Sequence, residues 1–131
     1  MINSISTGQT LHLEEFVTSK HGITYKIITS SSQEKPQIGD RVTVHYTGYL
    51  LKGICEVGQK FDSSVDRKEP FEFHLGYQQV IEGWELSLSD MRIGEQRIII
   101  LPPDLGYGNQ SVSIIPANAT LIFEVALLAA A

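Results

Sequence analysis

The sequence predicts an α+β domain in which several antiparallel strands pack against one short helix. Segments that alternate between apolar and polar residues recur along the chain, most clearly at residues 41–46 and 70–75, and alternation with a period of two is typical of half-buried strands. A single segment, residues 80–88, has helical spacing instead. Several strands with one short helix are characteristic of the α+β class.

The helix is predicted from the spacing of its apolar residues. Val80, Ile81, Trp84 and Leu88 lie at i, i+1, i+4 and i+8, which places them on one stripe of a 3.6-residue period. Gly83 interrupts this pattern, because glycine inside a helix costs roughly 1 kcal/mol relative to alanine. We therefore expect a strand or a ligand to approach the helix backbone closely at Gly83.

The strand predictions follow from alternation and from β-branched composition. Residues 95–101 end in the apolar, mostly β-branched run 98–101 and predict a buried central strand. Residues 52–59 read as a hairpin loop, and the prolines of residues 102–116 exclude regular structure from much of that stretch. The other strands are expected at 23–28, 41–46, 70–75 and 120–129, with Val42, Val44, Tyr46, Phe71, Phe73, Leu75, Leu121, Phe123, Val125 and Leu127 facing inward. We expect the sheet to bury one face against the helix and to leave the other solvated.

The first twenty residues differ from the rest of the chain. Residues 1–10 are small and polar, and residues 11–16 could form either a helical turn or an edge strand. We expect residues 1–20 to be an N-terminal extension that is partly mobile at its start, followed by one domain over residues 21–131. The N-terminus lacks the basic and apolar regions of a secretory signal.

Composition excludes several classes of function. A chain of 131 residues with 42% hydrophobic and 19% charged residues is typical of one globular domain. A net charge of −5 argues against nucleic-acid binding, and no apolar run is long enough to predict a membrane span. Cys55 is the only cysteine, so an internal disulfide is impossible and a cytoplasmic, reducing location is expected.

The usual catalytic groups do not form a recognisable set. His12, His21, His45 and His74 lie on separate segments without metal-ligand spacing, so no metal site is expected. No nucleophile-elbow pattern occurs, Cys55 reads as an incidental thiol, and no phosphate-binding loop is present. We therefore expect the protein to use no cofactor.

Aromatic residues are the remaining candidates for function. Each aromatic side chain can bury about 150–250 Å², so some of them must serve the core. Tyr46, Trp84 and Tyr107 carry polar groups that suit a pocket wall better than a dry core, although a plain core role stays open for Trp84. The aromatic residues spread over the predicted elements are Tyr46, Phe61, Phe71, Phe73, Trp84, Tyr107 and Phe123.

Seven short blocks, in order along residues 22–128, resemble the FKBP-type peptidyl-prolyl isomerases. Each block is short, but seven in register are a specific signature. They are VHYTG at 44–48, KFDSS at 60–64, PFEF at 70–73, VIEGWE at 80–85, GE at 94–95, PPDLGYG at 102–108 and IPANATLIF at 115–123.

The resemblance implies an antiparallel sheet of five to six strands wrapped around one short helix, with a ligand pocket between them. Asp62, Tyr107 and Trp84 would be the catalytic residues: Trp84 as the pocket floor, Asp62 as a carboxylate at its edge, and Tyr107 as a hydroxyl donor. The alternative for Asp62 is a turn residue that caps Ser63 or Ser64. The residues that would bind substrate or macrolide are Tyr46, Phe61, Phe71, Gln79 (through its carbonyl), Val80, Ile81 (through its backbone N–H), Ile115 and Phe123.

The implied activity is rotation about X–Pro bonds in polypeptides, which would assist protein folding. The implied partners are proline-containing polypeptides and macrolides of the tacrolimus or rapamycin type, with no nucleic acid or membrane and with the chain as a monomer. A binding or chaperone module that holds proline segments without turnover is the alternative. Two loops depart from compact members of the family: residues 51–59 are longer, and residues 109–113 are shorter.

Overall fold

A computed structural model describes residues 4–131 and confirms the α+β class. Two helices, α1 (Ser64–Arg67) and α2 (Glu82–Asp90), and two 3₁₀ turns, Leu13–Glu15 and Pro103–Leu105, accompany one antiparallel sheet. Within the described residues no helix is long and apolar enough to cross a membrane. The strands are β1 (Val17–Thr18), β2 (Thr24–Thr29), β3 (Arg41–Lys52), β4 (Glu56–Ser63), β5 (Phe71–His74), β6 (Gln96–Leu101) and β7 (Leu121–Ala130).

The long strand β3 organises the sheet. The order is β1-β2-β6-β7-β3-β4, and β5 also pairs with β3. One edge of β3 pairs with β7, while its other edge pairs first with β5, at Arg41 to Val44, and then with β4, at Thr47 to Lys52. Tyr46, at the junction of β5 and β4, therefore lies beside residues from both of those strands.

The inner face of the sheet packs against α2 and forms the main core. Val42, Val44, Tyr46 and Phe73 are buried there with Trp84 and Leu88 of the helix, so the inward directions predicted for β3 are confirmed. Gly83 explains how closely the helix approaches β6: a Cβ at this position would lie 2.5 Å from Leu101 Cδ1. The expected close approach is made by a strand side chain.

The outer face is also buried, so the prediction of a solvated face is wrong. It forms a second core whose strand residues alternate with those of the main core. Residues 98–101 of β6 and 121–123 of β7 are apolar on both sets of alternate positions, and a strand that reads as a continuous apolar run is buried on both faces. The residues of this second core are Ile5, Leu11, Tyr49, Val57, Ile98, Ile100 and Ile122.

The cover of the outer face is supplied by the N-terminal segment. Ile5 and Leu11 are 4% and 5% exposed, and the open choice at residues 11–16 is settled by the 3₁₀ turn Leu13–Glu15. Residues 1–3 lie outside the described part of the chain. The mobility predicted for the start of the extension concerns those residues in part, and the boundary at residue 20 stays a prediction.

The hairpin between β3 and β4 is tighter than predicted. Residues 52–59 were expected to form a loop, but β3 continues to Lys52 and β4 begins at Glu56. The N-terminal segment extends β4, because Val57 N–H donates to the Gln9 carbonyl and Val57 C=O accepts from Gly8 N–H, both at 2.8 Å. The sequence signal was two glycines, and this long-range pairing overrides it.

Candidate functional site

A cavity of about 170 Å³ opens on the inner face of the sheet, beside the N-terminal end of α2. It is formed where β3, β4, β5 and β7 meet the helix. The residues that line it are Tyr46, Phe61, Asp62, Phe71, Gln79, Val80, Ile81, Trp84, Tyr107 and Phe123. All the site residues predicted from the sequence are therefore brought together, with the exception of Ile115.

Trp84 lines the cavity and belongs to the main core at the same time. Its side chain is 4% exposed, and its ring meets Tyr46 at a centroid distance of 4.8 Å and Phe123 at 5.4 Å, both nearly perpendicular. Edge-to-face pairs of this kind contribute about 0.5–1.5 kcal/mol beyond burial. The indole Nε1 has no hydrogen-bond partner within residues 4–131.

Gly48 allows two walls of the cavity to approach each other. The pairing of β3 with β4 shifts register between Gly48 and Tyr49, where Asp62 and Lys60 are the partners and Phe61 lies between them. A Cβ on Gly48 would lie 2.6 Å from Phe61 Cζ and 2.8 Å from Phe123 Cε1. The glycine is required because the two rings occupy the space of its missing side chain.

Asp62, Tyr46 and Arg67 form a hydrogen-bonded cluster at the cavity edge. The Tyr46 hydroxyl donates to Asp62 Oδ2 and Arg67 Nη1 donates to Asp62 Oδ1, while Arg67 Nη2 donates to the Tyr46 hydroxyl at 3.2 Å. The cap of α1 is supplied by Ser63, whose Oγ accepts from Asp66 N–H at 3.1 Å. The carboxylate of Asp62 is thus aimed at the cavity edge by its own two partners.

These contacts decide the charge of the cluster. Burial alone would raise the pKa of Asp62, but the hydrogen bonds from Tyr46 and Arg67 outweigh it, and the pKa is lowered. The pKa of the Tyr46 hydroxyl is raised by burial first and then by its bond to Asp62. Asp62 is therefore ionised and Tyr46 protonated at neutral pH.

The N-terminus of α2 presents a free donor to the cavity. Ile81 is the N-cap residue, and its carbonyl accepts from Trp84 N–H at 2.9 Å and from Glu85 N–H at 3.2 Å. Its own N–H makes no hydrogen bond within residues 4–131, as expected for a group at the start of a helix. Gln79 also lines the cavity, and its side-chain oxygen accepts from His74 N–H at 2.8 Å.

Tyr107 and Ile115 occupy different environments although both follow β6. Tyr107 is 37% exposed and lines the cavity, and burial together with the charge of Asp62 raises the pKa of its hydroxyl. Ile115 is 4% exposed, lies in the main core, and is absent from the cavity lining. Its neighbour Ile114 is 46% exposed and is also absent from the cavity lining.

Arg67 and Gly48 shape the cavity, but the sequence analysis did not name them as site residues. Arg67 lies five residues after Asp62, and only the turn of α1 brings its side chain to that carboxylate. Gly48 lies beyond the strand predicted at 41–46 but inside β3, and a glycine inside a strand often marks close approach of another group.

The chain matches a sequence model of the FKBP-type peptidyl-prolyl cis-trans isomerases over residues 32–128. It is 49% identical to FK506-binding protein 1A of Aspergillus fumigatus over 94 residues, which cover 71% of this chain and 80% of that protein. It is 44% identical to a peptidyl-prolyl cis-trans isomerase of Schizosaccharomyces pombe over 110 residues, covering 82% of this chain and 94% of that one.

Other relatives are longer than this chain. FK506-binding protein 2B of Rhizopus delemar is 47% identical over 108 residues, which are 82% of this chain and 50% of that protein. This chain spans about half of that relative's length.

Solved structures share the fold. AtFKBP13 superposes with a TM-score of 0.80 at 28% identity. The match covers 89% of this chain and 99% of AtFKBP13. FkpA from Escherichia coli superposes with a TM-score of 0.78 at 36% identity, over 89% of this chain and 52% of that one. The aromatic cavity, the helix beneath it and these matches show together that the chain belongs to the FKBP-type peptidyl-prolyl cis-trans isomerases.

Proposed function

We propose that this chain accelerates rotation about X–Pro bonds by binding the twisted amide in the cavity above Trp84. The observation that carries the proposal is the aromatic cavity itself, with its floor and walls of Trp84, Tyr46, Phe71 and Phe123. A proline ring is apolar and compact, and flat aromatic walls at right angles give it contact on several sides.

The chemistry requires no bond to be broken. The barrier to rotation is about 18–20 kcal/mol because resonance keeps the amide planar. Twisting removes that resonance and leaves the amide less polar, so a water-poor cavity stabilises the twisted form relative to the planar one. A thousandfold acceleration needs only about 4 kcal/mol of such preference.

Three polar groups orient the substrate in this proposal. The free N–H of Ile81 donates to a substrate carbonyl, and the hydroxyl of Tyr107 donates to the substrate backbone. Asp62 acts through its charge at the cavity edge and not as an acid or base, because its pKa is lowered and it stays ionised. Tyr46 and Arg67 position this carboxylate.

The test is a proline-isomerisation assay on a short X–Pro peptide, with and without rapamycin. Turnover that the macrolide abolishes supports an isomerase that shares one site with the drug. A chain that binds peptide without turnover would be the alternative module, which holds proline segments. Trp84 is the only tryptophan, so its fluorescence reports binding at the cavity directly and separates the two outcomes.

Proline-containing polypeptides and macrolides of the tacrolimus or rapamycin type are the proposed partners, and assistance of protein folding is the proposed role. We also propose that the chain is a monomer. The single cysteine, the half-buried Cys55, supports a reducing, cytoplasmic compartment. Gel filtration and cell fractionation test the monomer and the compartment.

A further inference from the structure

A second cavity, of about 340 Å³, lies at the other end of α2. It opens between the turn that joins β1 to β2, which carries Lys20 and His21, and the C-terminal half of the helix. Tyr25 and Arg97 extend its lining on the strands β2 and β6. None of its lining residues belongs to the cavity above Trp84.

Ser87, in the lining of this cavity, carries a buried hydroxyl without a hydrogen-bond partner among the described residues. Its side chain is 4% exposed, and its hydroxyl has no hydrogen-bond partner within residues 4–131. Only two buried side-chain polar atoms in that part of the chain share this state, and the other is Trp84 Nε1 in the proposed isomerase site. An unpaired buried hydroxyl destabilises the free protein, and a hydrogen bond to a bound acceptor atom would remove that cost.

Two basic side chains around Ser87 lack a hydrogen-bond acceptor in the described part of the chain as well. The side chains of Lys20 and His21 make no hydrogen bond or ion pair within residues 4–131. The acceptor on the helix side, Asp90, is already engaged: Arg97 Nη1 donates to Oδ2 at 2.9 Å and Lys35 Nζ to Oδ1 at 3.2 Å. The available groups are therefore donors.

The formal charge of the lining residues also favours an anionic ligand. Lys20 and Arg97 against Asp90 leave one net positive charge with His21 neutral. The guanidinium of Arg97 is held in place by Glu95 and by the ring of Tyr25, whose centroid is 4.5 Å from Cζ. Ordering of Arg97 before any ligand arrives reduces the entropy cost of binding.

We propose that this second cavity binds an oxyanion, either a phosphate or a carboxylate group. The hydroxyl of Ser87 and the ammonium of Lys20 would donate to the oxyanion. The apolar part of the lining, including Leu86 and Ile23, would contact the body that carries it. The proposal is independent of the isomerase function.

The test is a two-dimensional ¹H–¹⁵N NMR titration of the full chain with inorganic phosphate and, separately, with acetate. Ionic strength and pH are held constant. We expect saturable shifts of the amide signals of residues 19–21 and 86–90. Ser87→Ala and Lys20→Gln are each expected to weaken the affinity by about tenfold, since hydrogen bonds to charged groups are among the stronger ones.

Two matched variants control for general effects. Ser89→Ala removes another hydroxyl from the same lining, but that hydroxyl already donates to the Leu86 carbonyl at 2.9 Å, so affinity should not change. Lys52→Gln removes an exposed charge from β3, outside the cavity lining, and should also have no effect. Ser87→Ala should raise the unfolding midpoint of the free protein slightly, because it removes an unpaired buried group.

Comparison of the two anions shows whether the site prefers a phosphate or a carboxylate group. Saturation by phosphate alone assigns a phosphate ligand, saturation by acetate alone a carboxylate, and saturation by both a general oxyanion site. The proposal is overturned if neither anion gives saturable shifts at these residues, or if Ser87→Ala and Lys20→Gln weaken binding no more than the two controls do.

Discussion

The two faces of the sheet bury their polar groups differently. On the outer face, Glu124 is fully buried, and its carboxylate accepts from Ser4 N–H at 2.8 and 3.0 Å, from Ser4 Oγ at 2.8 Å and from Gln96 Nε2 at 2.6 Å. On the inner face, the indole N–H of Trp84 and the hydroxyl of Ser87 are buried and have no hydrogen-bond partner in the described part of the chain.

The two faces differ in whether the chain itself supplies hydrogen-bond partners to its buried polar groups. A buried polar group is normally paired, because leaving it unpaired costs free energy. The outer face meets this requirement within the chain, through the N-terminal segment. The inner face leaves donors on α2 unpaired on the sides where cavities open, as expected of a surface that is completed by a ligand.

The largest expected effect is on the outer face, where Glu124→Ala should destabilise the fold. The substitution removes a fully buried side chain and, with it, the acceptor of Ser4 and Gln96. We expect a loss of about 3 kcal/mol in the free energy of unfolding, measured by urea denaturation, with turnover at low temperature unchanged.

The control for this prediction is Glu72→Ala. Glu72 lies on β5 with its side chain 52% exposed, and exposed ion pairs contribute about 0–1 kcal/mol. A loss at Glu124 no larger than that at Glu72 would show that the buried hydrogen bonds do not hold the N-terminal segment in place.

On the inner face, Gly48→Ala should reduce both activity and stability. The added methyl group would displace the rings of Phe61 and Phe123 and narrow the cavity. Overpacking costs about 1–3 kcal/mol of stability, and we expect kcat/KM to fall about tenfold. The comparison variant is Gly53→Asn, in open space at the β3–β4 turn, since asparagine tolerates its positive φ. Equal activity of the two variants would contradict the assigned role of Gly48.

A smaller effect is expected for Asp62→Asn, which keeps the shape of the cavity and removes its charge. We expect kcat/KM to fall about fivefold, equivalent to ~1 kcal/mol, with little change in stability, because the Asp62 side chain is 40% exposed. Asp66→Asn is the matched variant, as Asp66 pairs with Lys60 outside the cavity. If both variants retain full turnover, the charge of Asp62 has no part in catalysis.

Much of the inner face could be predicted from local patterns. The alternation at residues 41–46 and the stripe on residues 80–88 depend on neighbours along the chain. The structure confirms the alternation, and it confirms the helix for Trp84 and Leu88, but the helix begins at Glu82, after Val80 and Ile81. The outer face could not be predicted in this way. Its cover depends on Ile5 and Leu11 packing against strands far along the chain, and no periodicity marks such a contact.

The candidate site shows the same division. The family resemblance placed Asp62 and Trp84 because they stand within recognisable blocks. The resemblance also implied Ile115 as a binding residue, but its side chain lies in the core. Arg67 could not be identified without the geometry, because its contact with Asp62 depends on the turn of α1.

The smallest expected effect is that of pH on turnover. The pKa of Asp62 is lowered, since hydrogen bonds from Tyr46 and Arg67 outweigh burial, and burial raises the pKa of Tyr46 and of Tyr107. No lining group therefore changes charge between about pH 5 and pH 9, and kcat/KM measured on an X–Pro peptide should be constant over that range.

The ionised Asp62 should make a small contribution to stability, which is lost at acidic pH. Its folded pKa lies below the ordinary value of 3.8, so the contribution is complete above that value and is lost as pH falls through the lower, folded pKa. The size is limited by solvent screening of a side chain that is 40% exposed. Acid denaturation of Asp62→Asn should therefore nearly match that of the unmodified chain. A bell-shaped rate profile centred near neutrality would contradict the charge states assigned to Asp62, Tyr46 and Tyr107.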